Sequence, residues 1–418
     1  MTRAAPAESY SAFAARLRAG GLISDPWLDG KPRFRAEPVI LTTAELAALQ
    51  RAAEEMAAVW NELCLLACAD PALVVSFLGL TPTQHALWMS SAPHWHGIAR
   101  ADVFFTAEGP KVCELNCDTP SGEAEAVLLS RDAARPELLD PNAALAERFC
   151  AMVGAVARSV RRPNAAPLSV GIVYPTEMPE DLSMVLLYRE WFEERGWRVT
   201  LGSPFNLRRF RGGAAGLFEN PCDVFVRHYK TDWWTERRPV WKDEPEVPDP
   251  EPLADQLAVV LGSVLSGKCA VVNPFGAVLA QNKRAMAFMW ERMDLFSAQA
   301  REAIRRYLPE TSRLECLSRS RLLAEREEWV LKSDYGCEGA EVVIGPETDP
   351  DAWEAFLDAA LPGRFVVQRY FRPVLDAHGA AANHGVYLVA GEAAGLYTRL
   401  SIGSTDRHAL SVPVMVRE

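Results

Sequence analysis

The stretch ARADVFFTAEGPKVCELNCDTPSG, residues 99–122, sets Arg100, Asp102, Glu114 and Asn116 among short apolar runs at no helical spacing. Two β-rich segments flank the Gly109-Pro110 pair, which reads as a hairpin with Asp102 and Glu114 near matching ends. Residues two apart on a strand share a face, so all four polar side chains line one side of the hairpin. A solvated face allows that pattern, with Arg100 and Asp102 as a surface ion pair. A divalent-cation site requires it, because Mg²⁺ takes carboxylate and amide oxygens together with phosphates. The apolar neighbours Val112, Cys113 and Leu115 imply partial burial and favour the metal reading.

Composition bounds the rest. With 418 residues, 49% of them hydrophobic and 24% charged, the chain is long enough for a large core in two or three substructures. A net charge of −11 excludes the basic field that a nucleic-acid surface needs. Nine cysteines without a C-x-x-C pair indicate reduced thiols, with neither a disulfide framework nor a zinc site. The opening MTRAAPAESY lacks signal-peptide character. The most apolar stretch, LCLLACADPALVVSFLGL, is cut by Asp70 and Pro71. The expectation is a cytoplasmic protein without a membrane or nucleic-acid partner.

Residues 1–90 read as mostly helical, and Thr42 with Glu45 fits a capping box. From LSVGIVYP onward, apolar strands alternate with an amphipathic helix (EDLSMVLLYREWFEERG) and continue through WRVTLG, CDVFVRHYK and KCAVVNP. That pattern predicts a parallel, doubly wound unit. The expected division is 1–165, a helical region carrying the hairpin, then 166–275, the Rossmann-like unit, then 276–418. In the last part NKRAMAFMWERM reads as helix, whereas EEWVLKSDYGCEGAEVVIG, RFVVQRYF and GVYLVAGEAAGLYTRLS read as antiparallel strands. His94 and His96 lack a third ligand, so they read as structural, and Met286, Phe288 and Trp290 as core.

In WVLKSDYGCEG, Lys332 ends a strand, and Gly336 and Gly339 follow in a short loop. Glycines let backbone approach phosphate and a lysine bridges phosphate oxygens. The spacing is not that of a P-loop, and a plain hairpin turn explains it equally well. Lys283 opens a helix where its charge opposes the dipole, a mild misfit that favours a functional role.

Taken in order, these motifs resemble the ATP-grasp ligases, specifically the synthetase domain of the glutathionylspermidine synthase family. The resemblance rests on R-x-D at Arg100 and Asp102, E-x-N-x-D-T-P from Glu114 to Pro120, and Asn282-Lys283. It extends to Lys332, Tyr335, Gly336, Glu338 and Gly339, then Gln368 and Arg399. It implies an α/β (α+β) ATP-grasp fold with permuted motif order, the metal motif first and the nucleotide lysines last, around an inner Rossmann-like pre-ATP-grasp domain. It further implies Mg²⁺ on Asp102, Glu114 and Asn116, and ATP held by Lys283, Lys332, Tyr335, Gly336, Gly339 and Gln368. Arg100 and Arg399 would act on the transferring phosphoryl group. The implied reaction phosphorylates a small-molecule carboxylate, a peptide or amino acid, and an amine then attacks the acyl phosphate.

Thr119 and Ser121 stand beside the metal residues as candidates for the acyl donor. Glu180 and Asp181 are candidates for a cationic amine, although acids in a first helical turn also simply favour its dipole. Ser333 and Cys337 depart from the family's loop, and the tail SIGSTDRHALSVPVMVRE departs from its usual ending. Those departures keep two alternatives open: an impaired ATP-binding sensor or scaffold, and a carboxylate kinase.

Overall fold

The computed structural model describes residues 9–23, 25–160, 167–176, 178, 181–235, 253–336, 342–360, 364–403, 405 and 408–418. At its centre lies a five-stranded antiparallel sheet. Its strand order is Leu410–Val412, Glu392–Ser401, Ala381–Val389, Ile98–Thr106 and Gly109–Asn116. The predicted hairpin therefore does not stand alone: strands from the end of the chain extend it on one side. Among the described residues the arrangement is mixed α/β, as the sequence implied.

Helix Thr43–Ala69 covers this sheet. Thr42 Oγ1 accepts from Glu45 N–H at 3.2 Å while Glu45 accepts from Thr42 N–H at 2.8 Å, which completes the expected capping box. Leu49, Ala52, Ala53, Met56, Trp60, Leu63 and Ala67 form one buried stripe at helical spacing. The Trp60 indole N–H, buried with them, donates to the Ala280 carbonyl at 3.1 Å. Asp70 and Pro71 end this helix and start Pro71–Leu78, with a bend of 117° between the two. Among the described residues no single helix is long and apolar enough to cross a membrane.

The second sheet is parallel throughout, in the order Ala270–Val272, Val224–Arg227, Ser169–Val173, Arg198–Gly202. Ser169–Val173 is buried along its whole length, as a strand covered on both faces must be, and helix Leu182–Glu193 makes the crossover to the next strand. A third, antiparallel sheet follows the order Thr311–Arg313, Phe365–Arg369, Trp329–Ser333, Val342–Ile344, matching the reading of the last third. Leu207–Arg209, Ala215–Leu217 and Asn220–Pro221 make a small sheet that the sequence did not announce. Strands this short carry too few residues for a periodicity of two to show.

The first two sheets are joined by a buried polar knot. Asp118, just past the hairpin, accepts from Arg227 Nη2 at 2.6 Å, from Thr231 Oγ1 at 2.6 Å and from Thr231 N–H at 2.7 Å. Asn273, at the end of strand Ala270–Val272, accepts from the N–H groups of Gly97 and Ile98 and donates to the carbonyls of Ile98, Cys117 and Asp118. Both ions of the Asp118–Arg227 pair are buried, so loss of one strands the other in a low-dielectric interior. Arg227→Met should therefore lower unfolding stability by roughly 3–5 kcal/mol in urea denaturation, and a change below about 1 kcal/mol would show that the knot does not hold the sheets together.

Candidate active site

The register of the hairpin places Arg100 opposite Asn116 and Asp102 opposite Glu114. All four side chains thus share one face, as predicted. The strand is not a solvated surface: Arg100 is 7% exposed and Asp102 1%. The ion pair anticipated for a surface exists, but inside the protein. Arg100 Nε donates to Asp102 Oδ1 at 2.7 Å and Nη2 to Oδ2 at 3.2 Å, while Nη1 reaches the Ser121 carbonyl at 2.7 Å. Burial opposes the arginine's charge, yet Asp102 more than compensates and holds its proton more tightly than usual. The side chain lies flat across Gly385, where a Cβ would stand 2.6 Å from Arg100 Cδ.

Arg399 arrives from a different strand, and its Nη2 donates to Asp102 Oδ2 at 3.2 Å. Both arginines named from the sequence converge on one carboxylate, which Asn383 Nδ2 also approaches at 3.3 Å.

A bulge follows Asp102: Val103 pairs with Val112, which leaves Cys113 without a cross-strand partner. The Cys113 carbonyl accepts from Lys332 Nζ at 3.1 Å. The lysine is 6% exposed and also donates to Gln368 Oε1 at 2.9 Å. Gln368 in turn donates through Nε2 to Thr311 Oγ1 at 3.0 Å. Both ends of this glutamine are engaged inside the protein, so it orients Lys332 here rather than presenting a free edge to a base.

Lys283 precedes helix Arg284–Glu291, with its backbone N–H on the Asp334 carbonyl at 2.8 Å. Its position at a helix start was read correctly, but the side chain is only 5% exposed. Nζ donates to the Gly336 carbonyl at 2.5 Å and lies 3.6 Å from Glu114 Oε2. Asn116 Nδ2 donates to the other Glu114 oxygen at 3.3 Å. Burial works against the Glu114 charge, but Lys283, Lys332 and Arg100 draw the carboxyl down to about 2. Tyr335 donates its hydroxyl to the Val278 carbonyl at 2.8 Å. Gly339, like Cys337 and Glu338, lies outside the described residues.

Thus Arg100, Asp102, Glu114, Asn116, Lys283, Lys332 and Arg399 gather in one place from separate segments of the chain. The candidate substrate residues are more dispersed. Ser121 enters through its backbone carbonyl, which also accepts from the Tyr387 hydroxyl at 3.0 Å, and Thr119 is half-buried beside Asp118. Glu180 lies outside the described residues. Asp181 stands at the N-cap of helix Leu182–Glu193 without bonding its N–H groups, and Oδ1 lies 3.3 Å from His228 Nε2. His96 stacks on Trp95 at 3.7 Å, and burial lowers it to about 4, which supports the structural reading.

Sequence reasoning passed over Glu123. It opens helix Glu123–Ala133, is 0% exposed, and neither carboxyl oxygen has a hydrogen-bond partner among the described residues. Gly122 places it there: its φ is +97°, and a Cβ would stand 2.6 Å from the Tyr397 ring. Burial pushes the Glu123 carboxyl up to about 7, only partly offset by its own backbone N–H, His228, Tyr188 and Arg100. In GEAEAVLL the residue looks like any acid in a first helical turn. Only the flanking alanines, which let the helix pack closely, hint at burial.

The fold is of the glutathione synthetase-like kind. Over 98% of both chains it is similar to the apo structure of a glutathione synthetase-like effector from Globodera pallida, with 10% identity and a TM-score of 0.57. A putative gamma-glutamylcysteine synthetase from Methylobacillus flagellatus aligns over 89% of this chain and 87% of its own at 13% identity, with a TM-score of 0.46. Residues 250–417 match the family described as "Glutathionylspermidine synthase preATP-grasp". That range contains Lys283, Lys332, Gln368 and Arg399, and the sheet register ties the Arg100–Asn116 hairpin to it. Comparison with curated protein sequences finds no match.

The raised Glu123 value sets a stability profile. Its folded value of about 7 lies above the ordinary 4.5. The native state therefore holds a proton that the unfolded state has lost, and stability falls as pH rises from about 4.5 to about 7. Glu123→Gln removes this liability. The variant should exceed wild type at pH 8 by up to about 3 kcal/mol, and urea melts at pH 4.5 should show the gain gone.

Proposed function

We propose that the chain is an ATP-dependent carboxylate–amine ligase that forms an amide through an acyl phosphate, releasing ADP and phosphate. The carrying observation is that Arg100 and Arg399 converge on Asp102 and Lys283 on Glu114, while Lys332, held on the Cys113 carbonyl, also acts on the Glu114 charge. Four positive groups against two negative ones leave an excess of two positive charges in a largely buried site. That surplus suits a polyphosphate and the charge that develops on a transferring phosphoryl group.

The donor set also fits Mg²⁺. Glu114, Asn116 and Asp102 offer carboxylate, amide and carboxylate oxygens on one face. Among the described residues no group of three or more His, Cys, Asp or Glu side chains gathers as a self-sufficient metal site. Magnesium habitually takes one or two carboxylates and completes its shell with phosphate and water. When bound, the ion would neutralise phosphate charge and orient the reacting phosphoryl group.

The chain's own residues supply the rest. Lys332 and Lys283, now on backbone carbonyls, turn to phosphate oxygens by exchanging one acceptor for a charged one. Gln368 keeps Lys332 aimed, and Gly336 lets the loop backbone approach. Arg100 and Arg399, braced by Asp102, face the oxygens where negative charge accumulates at the acyl phosphate and during amine attack. Thr119 and Ser121 border the place for the carboxylate substrate, a peptide or amino acid. In this reading the units are 1–165, 166–275 and 276–418, with the inner one walling the substrate side.

Two outcomes are expected. Lys332→Ala should weaken binding of Mg²⁺ and AMP-PNP by roughly 10–100-fold in calorimetry and leave adenosine nearly unaffected; equal loss for both ligands would make the lysine structural. Glu114→Gln should lower Mg²⁺-dependent ADP release, measured with pooled amino acids and amines, roughly a hundredfold or more. It should keep its fold by circular dichroism. Its midpoint should fall at neutral pH and converge with wild type as pH drops from 4.5 towards 2, because the depressed carboxyl stabilises only where it is ionised.

A further inference from the structure

A buried carboxyl group with no hydrogen bond is costly and calls for an explanation, such as a catalytic role or a bound ion. Glu123 is such a group. Around it stand Tyr188 on helix Leu182–Glu193, His228 just beyond strand Val224–Arg227, and Arg100 of the hairpin. Two of these neighbours are committed elsewhere, while the Tyr188 hydroxyl leans on Glu123 itself. Arg100 is bound to Asp102, and His228 lies 3.3 Å from Asp181.

Two more acids lie towards the surface. Glu125, two residues on and so turned to another side of the helix, is 3.4 Å from Arg33 and feels the charge of Asp181. Exposure rises outward from Glu123, which is 0% exposed, through the Glu125 side chain at 11% to that of Asp181 at 19%. Arg33 pairs with Glu125 and His228 with Asp181, and the Arg100 guanidinium is already claimed by Asp102. The local balance favours a cation, and the unpaired member is the innermost.

We infer that Glu123 receives the ammonium group of the amine substrate, with Asp181 on its approach. The assignment rests on the ligase reading and deepens it. A primary ammonium offers three N–H donors, so it can serve both unpartnered Glu123 oxygens together. The location suits the reaction, because Arg100 and Tyr387 meet on the carbonyl of Ser121, two residues before Glu123. An ammonium seated there lies next to the arginine assigned to the acyl phosphate. Without a cation the buried group stays partly protonated near pH 7, and a bound ammonium stabilises the carboxylate instead.

The test uses the full chain at pH 8 with saturating Mg²⁺ and AMP-PNP, and reads the thermal midpoint. The probes are methylamine, 1,4-diaminobutane and spermidine, against tetramethylammonium at matched ionic strength. At least one primary amine should raise the wild-type midpoint by roughly 2 °C or more, with no response to tetramethylammonium. Glu123→Gln should abolish that rise and Asp181→Asn should reduce it. Gln is nearly isosteric and relieves a buried charge, so the variant folds, and circular dichroism checks this. No response to any primary amine in wild type, or an unchanged response in Glu123→Gln, overturns the assignment. The nucleotide separates the two readings. If Mg²⁺ with AMP-PNP fails to raise the wild-type midpoint, the ligase proposal fails; if it succeeds while the amine arm fails, only the role of Glu123 falls.

Discussion

The ion pair between Asp118 and Arg227 is the contact on which the arrangement of the site depends. Asp118 belongs to the segment leaving the hairpin and Arg227 to the end of a parallel strand, so their bond fixes where one sheet ends relative to the other. Thr231 uses the same carboxylate, and Asn273 stitches the opposite side through five backbone groups. Because each buried polar atom here has its partner, a displacement of the hairpin would break several hydrogen bonds together. The position of Arg100 and Glu114 is thereby set from outside their own sheet.

Within that frame the cations are held in an uncommon way. Lys332 rests on the Cys113 carbonyl, a dipole that orients a charge without cancelling it, whereas Lys283 divides itself between the Gly336 carbonyl and Glu114. A lysine locked in a tight carboxylate pair would have to break that pair to meet phosphate. Lys332, held by a carbonyl and an amide oxygen, keeps its charge unpaired. The bulge after Asp102 makes this possible, since a regular ladder would have occupied the Cys113 backbone.

Much of the fold was legible because it follows from local pattern. The hairpin could be read from two β-rich runs around Gly109-Pro110, the parallel unit from an unbroken apolar strand followed by an amphipathic helix, and the cap from Thr42 and Glu45. That the hairpin's polar residues and the two lysines would gather was legible through the order of their motifs along the chain. What escaped depends on distant partners. Nothing around Gln368 shows that Lys332 and Thr311 will occupy both its ends. Nothing in GEAEAVLL shows that Tyr397 and Tyr387 will close over Gly122 and bury Glu123. The small sheet between Leu207 and Pro221 was missed because its strands are too brief to print a period.

The central sheet also dictates when the site can exist. Asp102 meets Asn383 and Arg399, which follow it by 281 and 297 residues. During synthesis the hairpin emerges long before the strand that covers its edge, so it waits with open backbone groups while the 281 residues up to Asn383 are made. The charged centre is thus assembled by a late, long-range pairing. A ribosome-bound fragment ending before Ala381 holds the hairpin residues but lacks the strand against which Arg100 lies, and synthesis has to pass Arg399 before the two arginines can share their carboxylate.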